Sequence, residues 1–491
     1  MNRFTHPTGS RGFMPLLSVC MCALLSGCAA TANDSQPQAV EPPAAWRNAQ
    51  AGANGAAAVD AHWWRSFGSG ELDALIEEAQ SRNQDLATAL ARVDAARAQA
   101  RIAGAALAPD LSGRLDAARE ARMGGRADVD GNTSFIGFAA SYELDLWGRR
   151  GALHQEALKG LRASEFDRDA VRLGVAAEVA SSWLQLRGLR EREAIARDNL
   201  ANAQRVLQLV EARSRAGAVT PLDLAQQRGL VAARQRELAA LQRQANDAET
   251  ALALLLGAPA LPPALRAERQ EGVRGVQGAT RLASLKMPSI DAGIPALALT
   301  RRPDIARAEA RLAAADANLQ AARAALLPGV RLGATIGLQG QAPGRLIDNP
   351  LYSLAAGVVA PIFDGGRLRG ERDLSEARRS ELVAGYRAAI LGALADAETA
   401  LNAVAGTDAQ AFAQAKELLQ ARRAAELSES RYRAGAETLL VLLDAQRTLY
   451  AAQDLAVQLQ QQRLQARVAL YRALGGGWRG DAAAPLAQGG A

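Results

Sequence analysis

Histidines, cysteines and acidic side chains are what this 491-residue chain could use to build a reactive centre, and their spacing builds none. His6, His62 and His154 stand far apart in sequence. A nucleophile needs a base within hydrogen-bond reach, and a metal needs ligands that converge. There is no Gly-x-Ser-x-Gly elbow, no His/Cys cluster at metal spacing and no Gly-rich phosphate loop. The reading is therefore no enzyme, no metal and no cofactor. Charge does not point to nucleic acid either. Lys+Arg number 57 against 51 Asp+Glu, but Lys159, Lys286 and Lys416 are the only lysines. The arginines alternate with acidic residues along helical stretches, as solvated helix faces do, and no basic patch is interleaved with aromatics. Two features still carry chemistry: a thiol near the N-terminus and an acidic side chain, Asp444, near the C-terminus.

The thiol is Cys28. Arg3 and Arg11 precede a short apolar run over residues 13–26, too short to span a membrane as a helix. The run ends in Leu25-Ser26-Gly27-Cys28, which resembles a lipobox: small residues suit a peptidase, and the Cys thiol accepts a diacylglyceryl group. A plain secretory signal with a chance Cys is the alternative. Cleavage there removes Cys20 and Cys22, so no disulfide can form. A multiply acylated Cys28 anchors the chain firmly in lipid, where a single acyl group holds only marginally. No later segment offers eighteen uninterrupted apolar residues, so any membrane span must be built from β-strands.

Those strands, and the helices that position Asp444, emerge from an internal duplication with an offset of about 219 residues. Residues 85–109 and 304–328 are matching Ala/Arg helices that end in Pro. Residues 213–220 (RSRAGAVT) echo 431–438 (RYRAGAET). Each half reads helix, strand, loop, strand, very long helix, tight turn, helix. Residues 330–339 alternate apolar Val330, Leu332, Ala334, Ile336 and Leu338 with small or polar positions. Residues 351–362 alternate likewise, as do residues 111–116, with a partner strand predicted over 134–146. Short segments with one apolar and one polar face are the mark of a transmembrane barrel with a wet lumen. Four strands cannot close, so several chains must pool theirs, and a passage rather than a plugged barrel favours at least three. Proline-free helices are predicted over 148–215 and 366–433, each about 100 Å long. Shorter helices over 72–107, 222–256, 294–327 and 438–474 stack in pairs to match them. A soluble coiled-coil rod is the competing fold, but it leaves the alternating strands without a use.

Arg302-Pro303-Asp304-Ile305 with Glu309-Ala310, Phe363-Asp364-Gly365-Gly366-Arg367 and residues 442–449 (LLDAQRTL) add specific signatures. With the duplication and the strand pairs, they resemble the TolC-like outer-membrane efflux factors across nearly all the mature chain. Within these the likeness is to the nodulation-type lipoproteins of resistance–nodulation–division pumps. The resemblance implies a mostly α fold with a β-barrel part, closing as a homotrimer with twelve strands in the outer membrane and a helical tunnel across the periplasm. It implies a periplasmic membrane-fusion adaptor and an inner-membrane pump as partners, and passive export of small molecules. An exit duct for secreted proteins is the alternative. The domains then read as a signal peptide (1–27), a lipidated extended leader (28–61), a first repeat (62–256), a Pro/Gly-rich equatorial linker (257–293), a second repeat (294–475) and a flexible tail (476–491).

Site residues follow from both routes. Gly217 and Gly435 are expected in left-handed conformations that end the long helices. Thr220, with Pro221, and Thr438 are expected as N-caps of the return helices. The resemblance adds adaptor docking at these tips. Leu440 and Asp444 lie four apart and share a helix face. The resemblance makes them an apolar constriction and an inward carboxylate ring, one ring only because Val441 replaces a second acid. Asp444 acting as a cap, or pairing with Arg447, is the alternative. The resemblance also implies a closed-state hydrogen bond between Tyr432 and Asp223, while Glu437 stands where a basic latch residue occurs in some relatives. Arg119, Arg122 and Arg126 make the first loop basic, facing either anionic lipid or solvent.

Overall fold

The computed structural model describes residues 40–48, 59–126, 131–262, 281–341, 344 and 346–479. The signal segment, Cys28 and most of the leader lie outside them, as do residues 263–280 of the linker and the tail beyond 479. Residues from Pro42 onward form one compact unit.

Two helices of 67 residues each, α3 (Arg149–Arg215) and α7 (Arg367–Arg433), each run about 100 Å. Around them lie α1 (Gly70–Arg82), α2 (Gln84–Ala105), α4 (Pro221–Leu255), α5 (Pro295–Thr300), α6 (Pro303–Ala324) and α8 (Leu439–Ala473). Helix α3 packs on α1, α2, α4, α6 and α8, and α7 packs on α6 and α8. Alanines supply much of the seam: Ala176, Ala177 and Ala180 in α3, Ala393, Ala397 and Ala400 in α7. Such small side chains let helix axes approach closely. Although α7 has one stretch apolar enough in composition to cross a membrane as a helix (mean hydropathy 1.3), it packs along α6 and α8.

The two single helices expected over 72–107 and 294–327 are each broken, and the breaks are the same device used twice. Asn83 takes an extended conformation between α1 and α2, and its Oδ1 accepts the amides of Asp85 (2.9 Å) and Leu86 (3.1 Å). Its Nδ2 donates to the Leu255 carbonyl at the end of α4, 2.9 Å away. At the matching place Arg302 is extended because Pro303 disfavours the α region before it. Its Nη1 donates to the Ala473 carbonyl at the end of α8, 3.0 Å away. Each joint is sealed by a glycine with positive φ. A Cβ on Gly257 (φ +66°) would sit 2.3 Å from the Arg82 carbonyl oxygen, and one on Gly475 (φ +86°) 1.9 Å from that of Arg301. No other residue fits there.

Above the joints, β1 (Asp110–Glu120), β2 (Gly131–Leu144), β3 (Gly329–Gly340) and β4 (Pro350–Val359) form one antiparallel sheet in sequence order. The register sets Leu115 opposite Ile136, Ile136 opposite Leu338 and Ile336 opposite Tyr352, so one face is continuously apolar. Strand β4 stops at Val359 rather than 362, since Pro361 has no amide for a ladder. Strands β1 and β4 each leave one edge unpaired. Both strand-to-helix corners are pinned by an aspartate. Asp145 accepts the amides of Arg150 and Gly151 (3.0 and 2.7 Å), and Asp364 those of Gly366 and Leu368 (3.0 and 2.9 Å).

The main core sits at mid-height. The 3-10 helix Trp63–Phe67 buries Trp63, which stacks on Tyr471 with centroids 5.1 Å apart, beside Phe67 and in one cluster with Trp183, midway along α3.

Candidate functional site: the helical tips and the return helix

The long helices turn at their far ends as the duplicated motif requires. Gly217 (φ +70°) follows α3, with its amide donating to Ser214 O (3.0 Å) and that of Ala218 to Arg213 O (2.9 Å). Gly435 (φ +75°) follows α7 with the same pair of bonds, to Tyr432 O (3.1 Å) and Arg431 O (2.9 Å).

The caps are not equal. Thr220 forms a reciprocal capping box: Asp223 N donates to its Oγ1 (3.2 Å), and its own amide donates to Asp223 Oδ2 (2.9 Å). Thr438 occupies the N-cap of α8 in the same extended conformation, but its side chain caps nothing. The difference is legible in sequence. The third helical residue is Asp223 in the first half and Val441 in the second, and an apolar side chain cannot reach back. The Thr438 amide instead donates to Glu437 Oε1 (3.2 Å), and Glu437 pairs with Arg431 at 3.5 Å.

The two tips are joined by Arg213. Its guanidinium donates to the carbonyls of Tyr432 (3.2 Å) and Arg433 (3.1 Å) and lies over the Tyr432 ring, 4.7 Å from the centroid. Tyr432 is buried in the cluster of Val206, Val210, Leu439, Leu442 and Leu443. The expected Tyr432–Asp223 hydrogen bond is not made. The Tyr432 hydroxyl is buried without a partner, and the Asp223 carboxylate is taken up by Thr220, whose Oγ1 also donates to it at 2.8 Å. Sequence reading missed Arg213 as the tie. Its signal was the Arg-x-Arg-Ala-Gly motif, read only as a turn.

On α8, Leu439, Leu442, Leu443 and Gln446 face inward and are buried, which turns Leu440, Val441 and Asp444 outward together. Leu440 is 63% exposed. Asp444 is exposed and has no hydrogen bond or ion pair among the described residues, so the pairing with Arg447 is absent. A carboxylate and a leucine one turn apart on a bare face can act only on something outside the protomer. Arg119, Arg122 and Arg126 at the far end of the sheet are all exposed. No cluster of potential metal ligands occurs among the described residues.

The joint of the second half is the most strongly charged interior feature. Arg302 is buried, and Nε and Nη2 grip Asp304 (3.0 and 2.8 Å) while Nη2 also reaches Asp396 (3.1 Å). Burial works against the charged carboxylate of Asp304. The Arg302 hydrogen bonds and charge outweigh it and hold that carboxyl below the usual range.

A duplicated helical barrel carrying a four-stranded sheet with one apolar face is the architecture of an outer-membrane channel. The chain belongs to the family of outer membrane efflux proteins, whose description matches residues 75–258 and 294–476, one match for each repeat. It is an outer-membrane efflux channel protein that extends into the periplasm. It is 47% identical to the pyoverdine export outer membrane protein OpmQ of Pseudomonas aeruginosa, over 95% of this chain and 97% of that one. The outer membrane protein OprJ of the same organism is 33% identical, over 94% and 96%. Among solved structures, the open state of the Neisseria gonorrhoeae MtrE outer membrane channel matches with a TM-score of 0.78 at 28% identity, covering 90% of this chain and 98% of that one.

Proposed function

We propose that three copies of this chain close into one duct that passively conducts small molecules, delivered by a periplasmic adaptor and an inner-membrane resistance–nodulation–division pump. The observation that carries this is the sheet. Its apolar face belongs in lipid, and its two unpaired edges cannot be left there without closure by further copies. Three sheets of four strands give a barrel wide enough for a passage. Energy enters at the inner membrane, since the duct has no reactive centre to supply it. The pyoverdine export role of the 47% identical OpmQ supports a small-molecule cargo of that kind rather than a secreted protein. At the periplasmic end, Leu440 and Asp444 from three chains form the narrow gate, an acidic ring that favours cations. The tips at Gly217, Thr220, Gly435 and Thr438 are the docking points of the adaptor, and acylated Cys28 holds the chain to the outer-membrane lipid. Purified protein in detergent is expected to weigh as a trimer and to give discrete conductance steps in planar bilayers. A monomer that gives no conductance refutes the duct.

A further inference from the structure

We propose that Arg331 forms a basic ring in the lumen, where the β-barrel meets the helices, that binds and draws through anionic groups of the cargo. This rests on the trimeric duct read above. The face of the sheet opposite the apolar one carries Arg114, Asp116, Glu143, Arg331, Thr335 and Ser353. With Leu115, Ile136, Phe138, Ile336 and Tyr352 turned to lipid, this second face lines the passage.

Most of its charge is internally compensated. Arg114 and Asp116 pair with each other at 2.5 Å. Glu143 is held from below by two arginines of α3, Arg149 at 2.8 Å and Arg150 at 3.0 Å, and its side chain is 15% exposed. Its one negative charge is therefore already over-compensated. Arg331 lies directly across from Glu143 in the ladder, 3.8 Å away at the edge of ion-pair range, and its side chain is 77% exposed. It is surplus to the pair and reaches into the passage. The remaining ionisable groups at this level are accounted for. Asp145 and Asp364 are engaged by backbone amides at the starts of α3 and α7, and Arg367 pairs with Glu371 at 2.8 Å. Asp110, on β1, lies one ladder level away, opposite Ser141. In the immediate cluster the single carboxylate of Glu143 faces three guanidiniums, Arg149, Arg150 and Arg331.

The levels beyond Arg331 toward the extracellular side present Asp110, Ser141, Gly333 and Ala355, then Ser112, Ala139, Thr335 and Ser353. Phe135, still farther along, lies flat over Gly137 and Gly337, where an added Cβ would come within 2.9 and 2.8 Å of its ring. Arg114 and Asp116 farther along pair with each other, so the threefold ring at Arg331 is the exposed basic belt of this wall. Three guanidiniums around a passage with low-dielectric walls concentrate anions and disfavour cations. The ring is opposite in sign to the one proposed at Asp444. A cargo bearing both carboxylate and ammonium groups meets a favourable ring at each end.

The test is the reversal potential of single trimers in planar bilayers under a potassium chloride gradient, in an Asp444→Asn background so that the tip does not dominate. Arg331→Gln is expected to lower the chloride-to-potassium permeability ratio by roughly twofold or more, the effect of three charges several ångströms from the ion path after screening. Asp110→Asn is expected to raise the ratio. Citrate added on the extracellular side is expected to block wild-type current at lower concentration than Arg331→Gln current. Normal conductance with an unchanged ratio and unchanged citrate block overturns the basic ring and leaves the duct intact. Absence of conductance in the Asp444→Asn parent overturns the duct, and this inference with it.

Discussion

Replacing Arg302 with alanine tests whether the duplicated joint, rather than helix propensity, holds the second repeat together. The side chain is 10% exposed and its fork contacts two carboxylates and two helix carbonyls, Ala393 O at 3.3 Å and Ala473 O at 3.0 Å. Alanine removes the guanidinium charge from Asp304 and Asp396 and the side-chain donor from the Ala473 carbonyl at the end of α8. Breaking a buried pair by removing one partner costs about 3–5 kcal/mol. With an unfolding entropy of about 2.1 cal/mol/K per residue, a chain of this length loses about 3–5 °C in Tm. Circular dichroism at 222 nm on detergent-solubilised trimer reads it, with Arg228→Ala as the control. Arg228 pairs with Glu211 on a side chain 61% exposed and is expected to change Tm by less than the scatter. The loss also has a sign in pH. The folded carboxyl of Asp304 is depressed, so its contribution is complete above the unfolded value and disappears as pH falls through the folded one. The gap between wild type and Arg302→Ala is therefore widest near neutral pH and narrows in acid below the ordinary carboxylate range. An equal Tm for the two proteins at pH 7, or a gap that widens in acid, refutes the reasoning.

The tips make a paired test. Thr220→Ala is expected to cost about 1 kcal/mol and speed amide exchange in the first turn of α4, whereas Thr438→Ala leaves α8 almost unchanged because its hydroxyl caps nothing. Val441→Gln supplies the missing partner of a capping box without adding charge, and amides 440–442 are expected to exchange about fivefold more slowly. Unchanged exchange shows that the apolar third position is not what leaves Thr438 idle. Asp444→Asn is expected to reduce cation preference in single-channel recordings with trimer yield unaltered, and an unaltered preference removes the residue from the gate. Gly475→Ala forces a Cβ onto the Arg301 carbonyl and is expected to abolish stable trimer, where Gly217→Ala, with open space around it, costs only about 1 kcal/mol of backbone strain.

The fold was legible because its signals are long or repeated. Residues 148–215 and 366–433 contain no proline, and the observed helices begin one residue inside each prediction. The period-two pattern placed all four strands, and the glycines of the tips announced their turns. What escaped was whatever depends on a partner far away in sequence. Nothing local at residues 72–107 says that Asn83 breaks the helix, since the gain comes from Leu255, 172 residues away. The family resemblance implied a hydrogen bond from Tyr432 to Asp223. The structure spends the Asp223 carboxylate on Thr220 and covers the Tyr432 ring with Arg213 instead. A local capping box competes effectively with a tertiary bond because closing it orders only one turn of chain.

The two repeats have diverged unevenly, and the pattern of divergence separates scaffold from working parts. At the joints, the backbone solution is kept while the side chain changes from Asn83 to Arg302. Both donate to the carbonyl that ends the return helix, and both need a glycine beside them because a Cβ would strike backbone. A constraint made of main-chain atoms tolerates any donor of suitable reach. At the corners an aspartate serves both long helices, its carboxylate accepting two amides at the helix start, where the dipole favours negative charge. At the tips the halves part company. The first return helix keeps its capping box and presents Leu222 and Asp223 at its start. The second gives up the acid for Val441, leaves Thr438 idle, and turns Leu440 and Asp444 outward. Loss of a cap worth about 1 kcal/mol makes the first turn of α8 the more easily frayed of the two. That is the turn that carries Leu440, so the weaker cap lies where the proposed gate would need freedom and the stronger one at the first-half tip.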